Sequence, residues 1–167
     1  GYGAGGALTV SVKTNFTTLN IQGTVFQENF VKGGDCLGGI ITGQASSGGL
    51  ELAITACNFT ANIDSTQFLG NHAVAGSFGT ISAYAFAGAG YFGVTGVPSY
   101  QYNKLSITNS VFRDNYSKGA SGSLSLLVYA GGWAIVDAES VLIHNTSFIN
   151  NTAMAGFGSV AGGNAEG

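Results

Sequence analysis

The side chains that could do chemistry are few and scattered. Eight carboxylates occur in the chain, at Glu28, Asp35, Glu51, Asp64, Asp114, Asp137, Glu139 and Glu166, with histidines at 72 and 144. Cleavage of a glycan by such groups needs a facing carboxylate pair, or a calcium cluster beside a basic residue. Glu28 and Asp114 share the position two residues after a phenylalanine, while Asp137 and Glu139 stand two apart near Trp133. The second pair reads as the solvated face of a strand, and neither histidine has a carboxylate close in sequence. No metal-ligand spacing, nucleophile elbow, phosphate loop or calcium loop is present, so no metal, cofactor or catalytic activity is expected. Net charge is −3 and no Lys/Arg cluster occurs, which gives nucleic acid nothing to bind.

Modification chemistry is better represented. Five Asn-x-Ser/Thr sequons lie at Asn15, Asn58, Asn115, Asn145 and Asn150, against about two expected from the Ser and Thr content. Covalent glycans there would supply the hydration that a surface with only 8% charged residues lacks. The bland reading is that asparagine favours turns next to Ser and Thr. Cys36 and Cys57 are the only cysteines. In an extracellular chain an even pair predicts a disulfide; two buried thiols are the alternative.

Positions of this kind need a scaffold, and the sequence carries a repeat. LNIQGTVF ends at Phe26, LAITACNF at Phe59, LSITNSVF at Phe112 and VLIHNTSF at Phe148; an asparagine three residues later gives Asn29, Asn62, Asn115 and Asn151. The phenylalanines are 33, 53 and 36 residues apart. Periods of this length indicate a solenoid. Glycines and a short β-type run follow each asparagine, with no helical periodicity. The expectation is an all-β, right-handed parallel β-helix of about four to five coils, a single unit over residues 1–167. Its one long insertion loop is placed at 84–104. Rows of Leu19, Leu52, Leu105 and Val141 and of Ile21, Ile54, Ile107 and Ile143 would line the core. The four phenylalanines would stack, and the four asparagines would form an amide ladder at a corner that they turn through left-handed backbone angles; glycine would allow the next corner by positive φ or close backbone approach. A β-sandwich with accidental strand similarity is the competing fold.

The recurring (Leu/Val)-x-Ile-x-Asn-Ser-x-Phe-x-x-Asn pattern followed by paired glycines resembles right-handed parallel β-helix proteins of the polymorphic outer-membrane protein type, and related β-helix surface proteins of microbes and protists. The tetrapeptide GGAI typical of that group stands here as GGAL and GGII. The resemblance implies a surface-exposed role in adhesion or coat structure, without a catalytic site.

Three further expectations follow. Residues 73–97 carry no charge and are long enough to span a membrane, but their β-branched and aromatic content reads as strand. Neither end shows a capping helix or a charged cap. The chain is then a slice of a longer rod, with any leader outside it, or copies stack end to end into a filament. Function is expected as an extracellular or cell-surface structural glycoprotein; an adhesin or carbohydrate-binding module, using aromatics between Tyr84 and Tyr102, is the alternative.

Overall fold

The computed structural model describes residues 3, 5–35, 43–77, 85–94, 102–119, 122–124, 128–156 and 158–161. Among them the chain is all-β, with no helix, and its strands pair only in parallel. The chain traverses the same walls four times. The first pass holds β1 (Leu8–Val12), β2 (Thr18–Gln22), β3 (Val25–Gln27) and β4 (Phe30–Lys32). The second holds β5 (Ala45–Ser47), β6 (Leu50–Ile54), β7 (Thr60–Asp64), β8 (Gln67–Leu69) and β9 (His72–Val74). The third holds β10 (Ala85–Ala87), β11 (Gly90–Val94), β12 (Lys104–Thr108), β13 (Val111–Arg113) and β14 (Tyr116–Lys118). After β15 (Gly122–Leu124), the fourth holds β16 (Val128–Ala130), β17 (Trp133–Val136), β18 (Ser140–His144), β19 (Ser147–Ile149) and β20 (Thr152–Met154); β21 (Gly158–Ala161) then pairs with β15.

Each wall is one sheet, and successive passes supply neighbouring strands. The orders β1-β6-β11-β17, β2-β7-β12-β18, β3-β8-β13-β19 and β4-β9-β14-β20 follow, with a shorter β5-β10-β16. Strand-to-strand partners are therefore about forty residues apart in sequence. A sheet of this kind cannot be laid down by hairpins. Parallel strands stacked in this way are consistent with a solenoid.

Alternation explains which side chains enter the core. Along β7 and β12 every second residue points inward, so Ala61, Ile63, Leu105 and Ile107 are buried. On the opposite wall Leu50, Leu52 and Ile54 of β6 meet Phe92 and Val94 of β11 in the same cluster.

The second coil is displaced from the expected frame by nine residues. Phe68, and not Phe59, pairs with Phe26 and Phe112, and Asn71 replaces Asn62. The true spacings of 42, 44 and 36 residues are nearly regular. Leu52 and Ile54 belong to β6 on a different wall, beside Val10 and Val12. Their places in the two rows are taken by Ala61 and Ile63. The insertion expected at 84–104 also dissolves. Residues 85–87 and 90–94 are rungs paired on both sides, and 104 begins β12; the remainder at 95–101 lies outside the described residues. The uncharged segment 73–97 contributes residues to β9, β10 and β11. No helix among the described residues is long and apolar enough to cross a membrane.

Glycine is required where two walls touch. Gly6, Gly48, Gly88 and Gly131 stand one above another, and each faces the backbone just after the ladder asparagine of its own pass. A Cβ on Gly88 would collide with the carbonyl oxygen of Gly131 and the amide nitrogen of Tyr116. Backbone on both sides leaves nothing flexible to yield. Gly88→Ala is expected to destabilise the fold by about 2 kcal/mol, read as a lowered urea midpoint. A change within about 0.5 kcal/mol would show that the walls can part at no cost.

Candidate functional site

Two columns run along the axis through all four passes. The rings of Phe26, Phe68, Phe112 and Phe148 stack with centroid separations of 4.8, 4.7 and 4.7 Å and interplanar angles of 7°, 6° and 8°. That separation equals the strand spacing, so the backbone ladder itself sets the ring stack. Trp133 lies edge-on to Phe68 and Phe112, at 5.4 and 5.6 Å, in space that Gly90 leaves by lacking a side chain. Phe59 is equally buried but sits elsewhere in the core, 6.2 Å from Phe92.

The second column is the amide ladder of Asn29, Asn71, Asn115 and Asn151. The Nδ2 of each asparagine donates to the Oδ1 of the next, over 2.8, 2.9 and 2.8 Å. Each backbone N–H donates to the same oxygen, over 3.2, 3.0 and 3.2 Å. The second Nδ2 hydrogen returns to the preceding pass. Asn71 reaches the carbonyl of Phe26, Asn115 that of Phe68 and Asn151 that of Phe112, each at 2.9 Å. Asn71 and Asn115 are fully buried and use both donors and both lone pairs. The ladder asparagines do not take the left-handed turn themselves. The preceding residue does: Glu28, Gly70, Asp114 and Asn150 all have φ between 51 and 60°. Asn62 lies apart, on the outer face of β7, where its Nδ2 donates to Asn20 Oδ1 at 2.9 Å.

The ladders have direction, and the passes at their two ends differ. Leu19 of the first pass is half-buried, and Ile21 and Phe26 are 8% and 6% exposed. Their counterparts in the last pass lie open: Val141, Ile143 and Phe148 are 43%, 45% and 47% exposed.

The sequons occupy different settings. Asn15, Asn145 and Asn150 are exposed and Asn58 is half-buried. Asn58, Asn145 and Asn150 adopt φ of 57, 47 and 51°, each at a corner. Asn15 Oδ1 accepts the Cys57 amide at 2.8 Å, and Asn145 Nδ2 donates to Asn109 at 2.8 Å. Asn115 is the buried ladder residue, with no Nδ2 hydrogen left to exchange for sugar. Cys57 is a half-buried free thiol, and Cys36 lies outside the described residues.

Among the described residues the carboxylates are not gathered, and Glu166 lies outside them. Asp137 and Glu139 sit in the link between β17 and β18, with Asp137 at a left-handed corner, and share no strand face. Glu28 and Asp114 border a shallow surface hollow of about 360 Å³ with Gln27, Leu69, Gly70 and Arg113. They are two passes apart, about 9.6 Å of backbone. Glu51 is buried and accepts the Gly5 amide at 3.0 Å. No group of three His, Cys, Asp or Glu among the described residues could hold a metal ion. His72 lies on the outer face, edge-on to Phe30 and Tyr116.

Asp64 holds a corner of the β2-β7-β12 wall. Its carboxylate accepts Thr108 Oγ1 at 2.7 Å, Asn109 Nδ2 at 2.8 Å, Ser65 Oγ at 3.0 Å and Gln22 Nε2 at 3.4 Å. The Thr108 bond, then those of Asn109 and Ser65, keeps this carboxyl below the ordinary range. A lowered folded-state pKa contributes stability above the unfolded value of about 3.9, which is lost as pH falls through the folded value. The difference in urea midpoint between the wild type and Asp64→Asn is therefore expected at pH 7 and should close at pH 2. A difference that persists unchanged in acid would assign the effect to shape and not to charge.

No protein-family model, curated protein or solved structure matches the chain.

Proposed function

We propose that the chain is a right-handed parallel β-helix of four coils, an extracellular structural glycoprotein that builds a filament or surface coat by end-to-end stacking and has no catalytic activity of its own. The handedness rests on the strong right-handed preference of crossovers between parallel strands. The observation that carries the function is the pair of columns that run unbroken through all four passes. Such an architecture extends by repetition, because each added pass buries the apolar face of the one before. The scattered carboxylates support the absence of catalysis, and four accessible sequons on a charge-poor surface support covalent glycans.

Electron microscopy of material purified from its source tests the rod; compact particles would overturn it. Intact mass before and after deglycosylation tests the sugar. Asn150→Gln is expected to remove one glycan mass, while Asn115→Gln removes none. A wild-type mass unchanged by deglycosylation would end this part of the reading.

The alternative is a carbohydrate-binding module. In the expected aromatic segment Tyr91 and Phe92 are buried, Phe86 packs on Tyr91 at 4.8 Å, Tyr102 is exposed, and Tyr84 and Tyr100 lie outside the described residues. The outward row Phe30, His72 and Tyr116 offers further rings on one wall.

A further inference from the structure

We propose that the hollow at Gly70 is a seat for one neutral sugar, a pyranose that lies across the second pass and hydrogen-bonds to the first and the third. The seat rests on the binding-module alternative, to which it gives residues, and it is independent of the filament.

The hollow exists because one side chain is missing from a column. Glu28, Gly70, Asp114 and Asn150 turn the same corner in successive passes, with φ of 52, 59, 56 and 51°. Backbone bonds hold that corner from pass to pass. The Glu28 N–H donates to the Leu69 carbonyl at 2.8 Å, that of Gly70 to Arg113 at 2.9 Å and that of Asp114 to Ile149 at 2.9 Å. The other three passes make this turn with a side chain in place, so left-handed angles do not demand glycine here. Neighbours do not demand it either. A Cβ on Gly70 would meet nothing closer than Glu28 Cγ, at 3.7 Å, whereas one on Gly88 would strike backbone. What the missing side chain creates is room. The hollow holds about 360 Å³, within the roughly 300–1,000 Å³ of small-molecule sites.

The rim supplies what a sugar needs. Register sets Gln27 and Arg113 on either side of Leu69, as Glu28 and Asp114 stand on either side of Gly70. Among the described residues none of these four polar side chains has a hydrogen-bond or ion-pair partner, whereas the Asp64 carboxylate has four. Carboxylate, guanidinium and amide are planar groups with paired donors or acceptors, which match two adjacent hydroxyls in one contact. Leu69 gives the lining an apolar patch for sugar C–H groups. Two residues beyond the corner stand the outward rings of Phe30, His72 and Tyr116, with successive centroids 6.5 and 5.7 Å apart. A pyranose with its hydroxyl edge in the hollow can lay a C–H face against this row. Charge then selects among sugars. Glu28 and Asp114 are offset by Arg113 and by Lys118, two residues beyond Tyr116. That balance suits a neutral ligand, while a uronate would set its carboxylate against two others.

The test is amide NMR of the full chain, titrated separately with methyl glucoside, methyl galactoside, methyl mannoside and methyl glucuronide. The chain carries Thr152→Ala, which removes the sequon of Asn150 and with it any glycan on the same corner. At least one neutral glycoside is expected to shift the amides of Gly70 and Asp114 saturably, with Kd of order 1 mM for so small and open a seat. The glucuronide should bind about tenfold more weakly. Gly70→Asn fills the hollow with the residue that turns this corner at position 150, so it should fold and lose the shifts. Asp114→Asn keeps the turn and removes one charged acceptor, which should weaken binding about tenfold. No saturable shift from any of the three neutral glycosides, shifts that survive Gly70→Asn, or a glucuronide that binds as tightly would overturn the seat. If Gly70→Asn does not fold, unchanged binding by Asp114→Asn overturns it instead. Saturable shifts confined to residues around Tyr102 would overturn the seat and leave the binding-module reading standing.

Discussion

Asn71→Ala is expected to lower unfolding free energy by about 4 kcal/mol, which is a large share of the roughly 5–15 kcal/mol typical of a native domain. The substitution removes four hydrogen bonds at once. The Phe26 carbonyl loses its side-chain donor, both nitrogens of Asn29 lose their acceptor, and Asn115 Oδ1 keeps one partner of two. Alanine offers no replacement, and Asn71 and Asn115 are closed to water while Asn29 is half-buried. Each orphaned buried group costs about 1–3 kcal/mol, and the members of a connected network do not relax independently. The comparison is Asn62→Ala, whose single side-chain bond to Asn20 lies at the surface. That change should cost less than about 1 kcal/mol. Urea melts of the two variants decide the matter. Equal losses would remove the ladder from its assigned role.

The second large effect is expected at Phe68. Its side chain is fully buried, lies between two rings and meets Trp133 edge-on. Phe68→Ala should cost about 5 kcal/mol: the upper part of the range for a core phenylalanine, since two stacking contacts are lost together. Phe59→Ala should cost about 3–4 kcal/mol, because Phe59 is as buried but has one ring neighbour at 6.2 Å. Phe148→Ala should cost about 1–2 kcal/mol, because that ring is already half in solvent. The order Phe68, Phe59, Phe148 is the result to look for in thermal or urea unfolding. If Phe59 proved the most costly, the column would be assigned to the wrong ring.

The same two positions show how far the sequence could be read. The parallel, all-β character was legible because each pass repeats an apolar alternation, a phenylalanine and an asparagine. The frame of the second pass was not. LAITACNF satisfies the pattern through Leu52 and Phe59, whereas the true frame begins at Ala61, where a small residue stands in for leucine. Strands on both walls alternate apolar and polar residues, so two walls of one coil can imitate each other. Near-equal spacing was the signal available: Phe68 lies 42 residues after Phe26 and 44 before Phe112. The 53-residue gap was an artefact of the shifted frame, and the insertion went with it.

The corners were misread for a related reason. Asparagine was expected to make the turn by adopting left-handed angles. The turn belongs to the residue before it, which is Glu, Gly, Asp or Asn in the four passes. Such mixed chemistry leaves no single-letter signature. The asparagine is held by the carbonyl and amide groups it joins, and that role appears only when two passes are side by side. The glycines are held by a collision between walls, which sequence alone cannot distinguish from a need for positive φ.

The pass-to-pass backbone hydrogen bonds lie along the long axis, and among the described residues no strand is paired within its own pass. A tensile load applied along that axis would reach the bonds one layer at a time, so the passes should peel apart in succession. Each layer that lets go frees some forty residues, or about 140 Å of slack chain. Its extension under force would then be a staircase of similar steps, with the step length set by the spacing of the ladder asparagines.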